Sequence, residues 1–258
     1  MTPPPVLYGV AERIATITLN RPEVRNALNP EALELLGESI ERAEHDGDVD
    51  VMILTGADPA FCAGLDLQQL SDNSNELLAA GTSVSSRDAR GPFGTITKPL
   101  VGAVNGAAVT GGFELALNCD FLVASERAKF GDTHARVGVM PSWGLSVLLP
   151  QAIGIRRARE MSFTGNFIDA AEALTRGLVN HVVPHDELMA FTRRIAADIV
   201  SNDQQAVRQL RHTYATVAHD DDAWETESRD ARAWQRTAFD PSRVAARRAE
   251  IELRGRNQ

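Results

Sequence analysis

Apolar positions fall into three rhythms along this chain, and the changes of rhythm divide it. Residues 6–8 and 14–19, separated by Ala11-Glu12-Arg13, predict an opening antiparallel hairpin. Asn20-Arg21-Pro22-Glu23 breaks the second strand. Asn29 before Pro30 is a helix cap followed by proline at the first helical position. The helix it opens carries Leu33, Leu36, Ile40 and Ala43 on one stripe and stops at Asp46-Gly47. Three short continuous apolar runs follow, at 51–54, 100–104 and 121–124, each suited to a strand buried on both faces. Helical stretches lie between them, so strand and helix alternate to about residue 185. Residues 186–254 lack a convincing strand and predict successive amphipathic helices, broken near Asn202, Asp220 and Asp240-Pro241. The expected organisation is therefore an α/β core over residues 1–185 with an all-helical region over 186–258. Helices added beyond a finished core commonly serve subunit contacts, and two of the three tryptophans, Trp224 and Trp234, lie there.

Composition narrows the function. The 258 residues are 43% hydrophobic and 24% charged, which is ordinary for a globular chain and excludes collagen-like or disordered classes. With 26 Lys plus Arg against 35 Asp plus Glu, the net charge is −9, which disfavours extended nucleic-acid binding while leaving room for one phosphate-bearing ligand. Cys62 and Cys119 sit in small-residue or apolar contexts and are expected as reduced, packed thiols. No apolar run reaches the roughly 20 residues of a membrane span. Met1-Thr2-Pro3-Pro4-Pro5 lacks the basic and apolar regions of a signal peptide, so a cytoplasmic location is expected.

Candidate chemistry sits in two segments that follow buried strands, where open α/β folds place ligands. The first is Ala60-Phe61-Cys62-Ala63-Gly64-Leu65-Asp66-Leu67, and the second runs over 105–114; both are expected as loops. Each holds glycine where a backbone N–H can approach a ligand. Gly111-Gly112 leads into Phe113-Glu114-Leu115-Ala116-Leu117, a helix start whose unpaired N–H groups suit a developing negative charge. Taken alone, this loop favours a Gly-rich turn that lets helix and strand pack closely, and a favourable first-turn charge is the common reading of Glu114; only their company points to chemistry. The segment lacks dinucleotide-fingerprint spacing, and neither a Walker A motif nor a G-x-S-x-G elbow occurs. His181 and His185 have metal-like spacing, but Pro184 between them favours a strand end and loop, and no metal site is expected. Residues 68–92, rich in Ser, Asp, Asn and Gly, are expected to form a mobile wall of the ligand pocket.

Taken in order, these segments resemble the crotonase superfamily of enoyl-CoA hydratases and isomerases. The resemblance runs from about Val10 to Val183. It is carried by Leu19-Asn20-Arg21-Pro22 with Asn26-Ala27-Leu28-Asn29, by Phe61-Cys62-Ala63-Gly64-Leu65-Asp66, and by Lys98-Pro99 with Ala103-Val104-Asn105-Gly106-Ala107-Ala108. Gly111-Gly112-Phe113-Glu114-Leu115-Ala116 with Cys119-Asp120, then Ala128-Lys129-Phe130-Gly131 with Gly138 and Pro141, complete it. Their order and spacing make it specific. It implies a spiral of ββα turns with a helical C-terminal trimerisation region, assembled as a homotrimer or a dimer of trimers. It implies an acyl-CoA thioester substrate, drawn from fatty-acid or related breakdown, with no cofactor beyond the coenzyme A that the substrate carries. The implied oxyanion hole is the N–H groups of Leu65 and Gly111, and the CoA moiety is lined by Arg25, Ala27, Ala63, Gly64, Leu65, Asp66 and Gly111. Hydratases of this family typically use two glutamates. The first matches Glu114; the position of the second is His134, in Phe130-Gly131-Asp132-Thr133-His134. An imidazole with a pKa near ~6.5 donates or accepts a proton at neutral pH, and Asp132 is placed to orient it. Hydration of a trans-2-enoyl-CoA, with Glu114 and His134 as acid–base pair, is the leading expectation. Double-bond isomerisation by Glu114 alone and silent acyl-CoA binding are the alternatives. RNA binding is disfavoured by the acidic composition.

Overall fold

The computed structural model describes residues 3–72, 93–218 and 220–256. Strands β1 (Val6–Ala11) and β2 (Ile14–Leu19) form the expected hairpin, turned at Glu12 and Arg13, both at positive φ as a two-residue turn requires. Helix α1 (Pro30–His45) starts where Asn29 Oδ1 accepts the Ala32 N–H at 2.9 Å, and its expected stripe is buried. Three ββα turns follow. They are β3 (Val51–Gly56), β4 (Ala60–Cys62) and α2 (Leu67–Asp72); β5 (Leu100–Val104), β6 (Ala107–Val109) and α3 (Gly111–Leu117); and β7 (Phe121–Ser125), β8 (Lys129–Gly131) and α4 (His134–Val137). After them come α5 (Leu145–Ile153), α6 (Ile155–Thr164), β9 (Phe167–Asp169), α7 (Ala170–Thr175) and β10 (His181–Val183). Helices α8 (Leu188–Val200), α9 (Gln204–Ala218), α10 (Asp221–Thr237) and α11 (Pro241–Arg256) close the chain, broken where the sequence pattern breaks.

The first strand of each turn enters a six-stranded sheet of order β1-β2-β3-β5-β7-β10, and the second enters a four-stranded sheet of order β4-β6-β8-β9. This corrects the expectation that 60–67 and 105–114 are loops: the first opens with the three-residue strand β4 and the second contains the three-residue strand β6 and the start of α3. Three residues carry no readable period, and their parallel partners lie far away in sequence.

The middle strands of the large sheet, β3, β5 and β7, are buried on both faces, as their continuous apolar runs require. Met52, Leu54, Leu100, Val104, Leu122 and Ala124 face the main core, while Val51, Ile53, Val101, Ala103 and Val123 face a second cluster closed by Leu188 and Ala196 of α8. Lys98 is buried, and its ammonium donates to the carbonyls of Ala43 and Asp46 at 2.7 Å each, capping the end of α1. His181 lies on β10 and His185 in the turn after it, with Nδ1 3.0 Å from Ser125 Oγ and Nε2 3.1 Å from Asp58 Oδ2. Cys62 and Cys119 are buried free thiols, and burial raises the pKa of both. Of the expected mobile wall, 68–72 belong to α2 and 73–92 lie outside the described residues. No helix among the described residues is long and apolar enough to cross a membrane.

Candidate active site

The small sheet brings three chain segments side by side, and each carries one part of the site. After β4 the chain passes Gly64 at φ +90°, where a Cβ would lie 2.8 Å from the carbonyl oxygen of Val109. Only glycine permits both that dihedral and that contact. The 63–66 segment is also zipped to residues 25–28: Ala63 N–H donates to Arg25 O (3.0 Å), Leu28 N–H to Gly64 O (2.8 Å) and Asp66 N–H to Leu28 O (2.9 Å). Buried Asn26 fastens this strip to the turn before β4, its Nδ2 donating to the carbonyls of Ala57 and Ala60 at 2.7 Å each.

The second segment turns after β6 through Thr110, at φ 53° and ψ −117°, a strained conformation for a β-branched residue. Its hydroxyl lies 2.5 Å from that of Thr133, which ties the start of α3 to the start of α4. Gly112 has no room for a side chain because the carbonyl of Cys62 occupies the place of its Cβ. Gly111 sits against Gly64, with its amide at the open N-terminus of α3. Among the described residues, the amides of Leu65 and Gly111 donate to no backbone acceptor, and both residues line one cavity.

Glu114, in the first turn of α3, is 2% exposed. Its Oε1 accepts the N–H groups of Trp143 (2.8 Å), Ser142 (3.2 Å) and Leu145 (3.4 Å). Its Oε2 faces His134 Nε2 at 3.3 Å. Asn118 braces the arrangement, its Nδ2 donating to Glu114 O (2.8 Å) and Trp143 O (2.7 Å).

His134 opens α4 in the third turn and is 5% exposed. Asp132 Oδ1 lies 2.6 Å from His134 Nδ1 and accepts the His134 backbone N–H at 3.1 Å. Burial opposes a charged imidazole here, but the hydrogen bonds to Asp132 and Glu114 outweigh it and raise the pKa to about 10. This corrects the near-neutral value expected from the sequence: both ring nitrogens face carboxylates. Burial likewise opposes ionisation of Asp132, and the bond to His134 reverses the sign and lowers its pKa.

Arg25, Ala27, Ala63, Leu65, Asp66, Gly111, Glu114 and His134 all line a cavity of ≈ 610 Å³. Gly64 is absent from its wall and stands behind it, pressed on β6. Asp66 is engaged with Arg21, whose Nη1 and Nη2 both lie 3.2 Å from Oδ2. The wall also carries Lys129, Arg136, Arg248 and Arg256 beside the acids Glu23 and Glu252, and Glu252 pairs with both Arg248 (2.8 Å) and Arg256 (3.3 Å). Trp143, Arg136 and the α11 side chains escaped the sequence reading. The Trp143 ring lies 3.1 Å from where a Cβ on Gly111 would be. No group of His, Cys, Asp or Glu among the described residues has an arrangement suited to a metal ion.

Known proteins resemble the chain along most of its length. The "Probable enoyl-CoA hydratase 1, peroxisomal" of Arabidopsis thaliana is 42% identical over 205 residues, covering 77% of this chain and 73% of that protein. The "Short-chain-enoyl-CoA hydratase" of Clostridium acetobutylicum is 36% identical over 197 residues, covering 76% and 75%. Among solved structures, the enoyl-CoA hydratase from Mycobacterium smegmatis superimposes with a TM-score of 0.81 at 48% identity, covering 92% of this chain and all of that one. The enoyl-CoA hydratase from Mycobacterium tuberculosis H37Rv gives 0.82 at 47% identity, over 90% and 100%. The profile of the enoyl-CoA hydratase/isomerase family matches residues 9–243, and with the ββα spiral in place the chain belongs to that family, within the crotonase superfamily.

Proposed function

We propose that this protein is an enoyl-CoA hydratase that adds water across the 2,3 double bond of a trans-2-enoyl-CoA. One observation carries the assignment of roles: a buried Glu114–His134–Asp132 chain reaches, through Glu114 and His134, the cavity that Leu65 and Gly111 also line, and the amides of those two residues donate to no backbone acceptor among the described residues. The thioester oxygen accepts from those amides, which stabilise the charge it gains as the nucleophile attacks. Glu114 takes a proton from water, and the oxygen bonds to C3. The imidazolium of His134 gives its proton to C2, which restores the thioester carbonyl. The proton on Glu114 then crosses the 3.3 Å to His134 Nε2 and resets the pair. Asp132 orients the ring and keeps it charged until donation. No redox change occurs, so no cofactor is needed beyond the coenzyme A of the substrate.

Arg25, Ala27, Ala63, Gly64, Leu65, Asp66 and Gly111 form the CoA-side strip in this reading. Gly64 and Asp66 act structurally within it, through packing on β6 and pairing with Arg21. A reducing compartment keeps Cys62 and Cys119 as thiols, and we assign the protein to the cytoplasm. The core over 1–185 carries the chemistry, and the helices over 186–258 build a homotrimer or a dimer of trimers. Leu210, Tyr214 and Val217, spaced along one face of α9 and 58%, 74% and 80% exposed, supply an apolar stripe for that contact.

The test is incubation with a panel of 2-enoyl- and 3-enoyl-CoA thioesters, read by product mass and chirality. Gain of one water on 2-enoyl substrates is expected. Conversion of 3-enoyl to 2-enoyl thioesters without mass change assigns isomerisation instead, and unchanged substrate means a silent binder.

A further inference from the structure

Five consecutive amides, those of residues 142–146, are shared between two buried carboxylates. Glu114 takes those of Ser142, Trp143 and Leu145. The two between and beyond go to Glu227 of α10: Oε1 accepts from Gly144 and Oε2 from Ser146, each at 2.6 Å. Glu227 is only 7% exposed, and no Lys, Arg or His among the described residues is ion-paired with it. The contact is built closely. Gly144 sits at φ +95°, and a Cβ there would run into the ring of Trp224, one turn before Glu227 on α10.

A buried carboxylate with no cation partner costs stability unless hydrogen bonds hold it. Here two short amide bonds at the start of α5 do so. We infer that Glu227 is a positioning residue for hydration: by fixing the amides of Gly144 and Ser146 it fixes the interleaved amides that aim Glu114. Glu114 Oε1 is thereby pinned, and Oε2 stays turned to His134 and the cavity. The inference rests on the reading in which Glu114 takes the proton from water.

The charged groups near Glu227 are few. Glu114 faces it from α3, and α5 carries no ionisable side chain. On α10, Arg229 and Asp230 pair with each other at the surface, and Arg232 donates to Ser228 O. Burial, with the charge on Glu114, raises the pKa of Glu227 to about 7. A protonated carboxyl must turn one oxygen into a donor, and that oxygen then no longer accepts an amide N–H. Glu227→Gln has the same shape and the same fault at every pH.

The experiment compares the full-length wild type with Glu227→Gln and Glu227→Ala, using a trans-2-enoyl-CoA and the analogue acetoacetyl-CoA. In Glu227→Gln, kcat falls about ten- to a hundred-fold with KM and analogue affinity unchanged, the signature of a misplaced catalytic group. Wild-type kcat rises with pH through about 7, and that rise is missing in Glu227→Gln. Hydrogen exchange of the 142–146 amides accelerates in the variant. Wild-type kcat and pH profile in Glu227→Gln overturn the inference. So does a kcat loss that comes only with falling analogue affinity and melting temperature, because Glu227 then merely supports the fold. If Glu227→Ala fails to fold, the isosteric variant decides alone. A wild type that hydrates nothing removes the hydratase reading, and the exchange data then decide: acceleration confined to 142–146 supports the positioning role, and unchanged exchange overturns it.

Discussion

His134 Nε2 stands 3.3 Å from Glu114 Oε2, and the bond that its other ring nitrogen donates to Asp132 leaves the imidazole held between two carboxylates. In the proposed mechanism a histidine so placed is a stored proton rather than a neutral-pH switch. Its alkaline limit lies near its raised pKa, about 10, and not near the ordinary value. Log kcat/KM of the wild type is therefore expected to stay flat on the alkaline side until pH approaches that value. His134→Ala should lose about 10²–10⁴-fold in rate while acetoacetyl-CoA binding holds. Near-full activity in that variant would leave His134 as a packing residue.

The same shift makes a stability prediction. A histidine whose folded pKa exceeds its unfolded value of about 6.5 contributes stability that is complete below the unfolded value and is lost as pH rises through the folded one. Urea denaturation should show stability falling between those two values, with a smaller fall in His134→Gln. Identical pH slopes for the two proteins would contradict the buried charge.

Glu114→Gln should abolish turnover on both 2-enoyl and 3-enoyl thioesters, because water activation and proton abstraction both need a base. The amide oxygen can still accept the N–H groups of the 142–145 turn, so calorimetry with acetoacetyl-CoA should give wild-type affinity. Residual turnover within about tenfold of wild type would remove Glu114 from its role.

Thr110 separates strain from hydrogen bonding. Thr110→Ala keeps a side chain at positive φ and leaves the Thr133 hydroxyl without its partner in a buried place. Thr110→Gly loses the same bond but relieves the backbone. The glycine variant should be the more stable of the two by roughly 1 kcal/mol in equilibrium unfolding. The reverse order would show that the dihedral carries no strain.

Light scattering should report a multiple of the 28.0 kDa protomer, three or six copies, at micromolar concentration. Replacing Tyr214 and Val217 with Glu should shift the mass toward a monomer, since charge on an apolar contact is costly to bury. A monomeric wild type refutes the assembly.

Much of this arrangement was legible because strong local patterns agree with the fold. Asn29-Pro30 marks the start of α1, and the runs at 51–54, 100–104 and 121–124 are the doubly buried strands. Glu114 and His134 could be singled out by motif order, but their meeting depends on β6 and β8 pairing, which three-residue strands do not announce. Glu227 was hidden for a different reason. It sits in Asp221–Thr237, where charged residues dominate and a glutamate looks solvated. The one local hint is Trp224, three residues earlier on the same helical face. The raised pKa of His134 was beyond reach, since it is set by carboxylates whose placement only the tertiary structure supplies.

The small sheet has a modular side. In the proposed mechanism each of its first three strands, β4, β6 and β8, delivers one part: an amide at Leu65, an amide and a base at Gly111 and Glu114, and a proton store at Asp132 and His134. The parts are neighbours because the strands are, yet each belongs to its own turn of the spiral. One slot can therefore be re-equipped without redrawing the other two. The imidazole of His134 belongs to the third turn alone, and a change of residue there leaves the backbone at Leu65 and Gly111, in the first two turns, as it is.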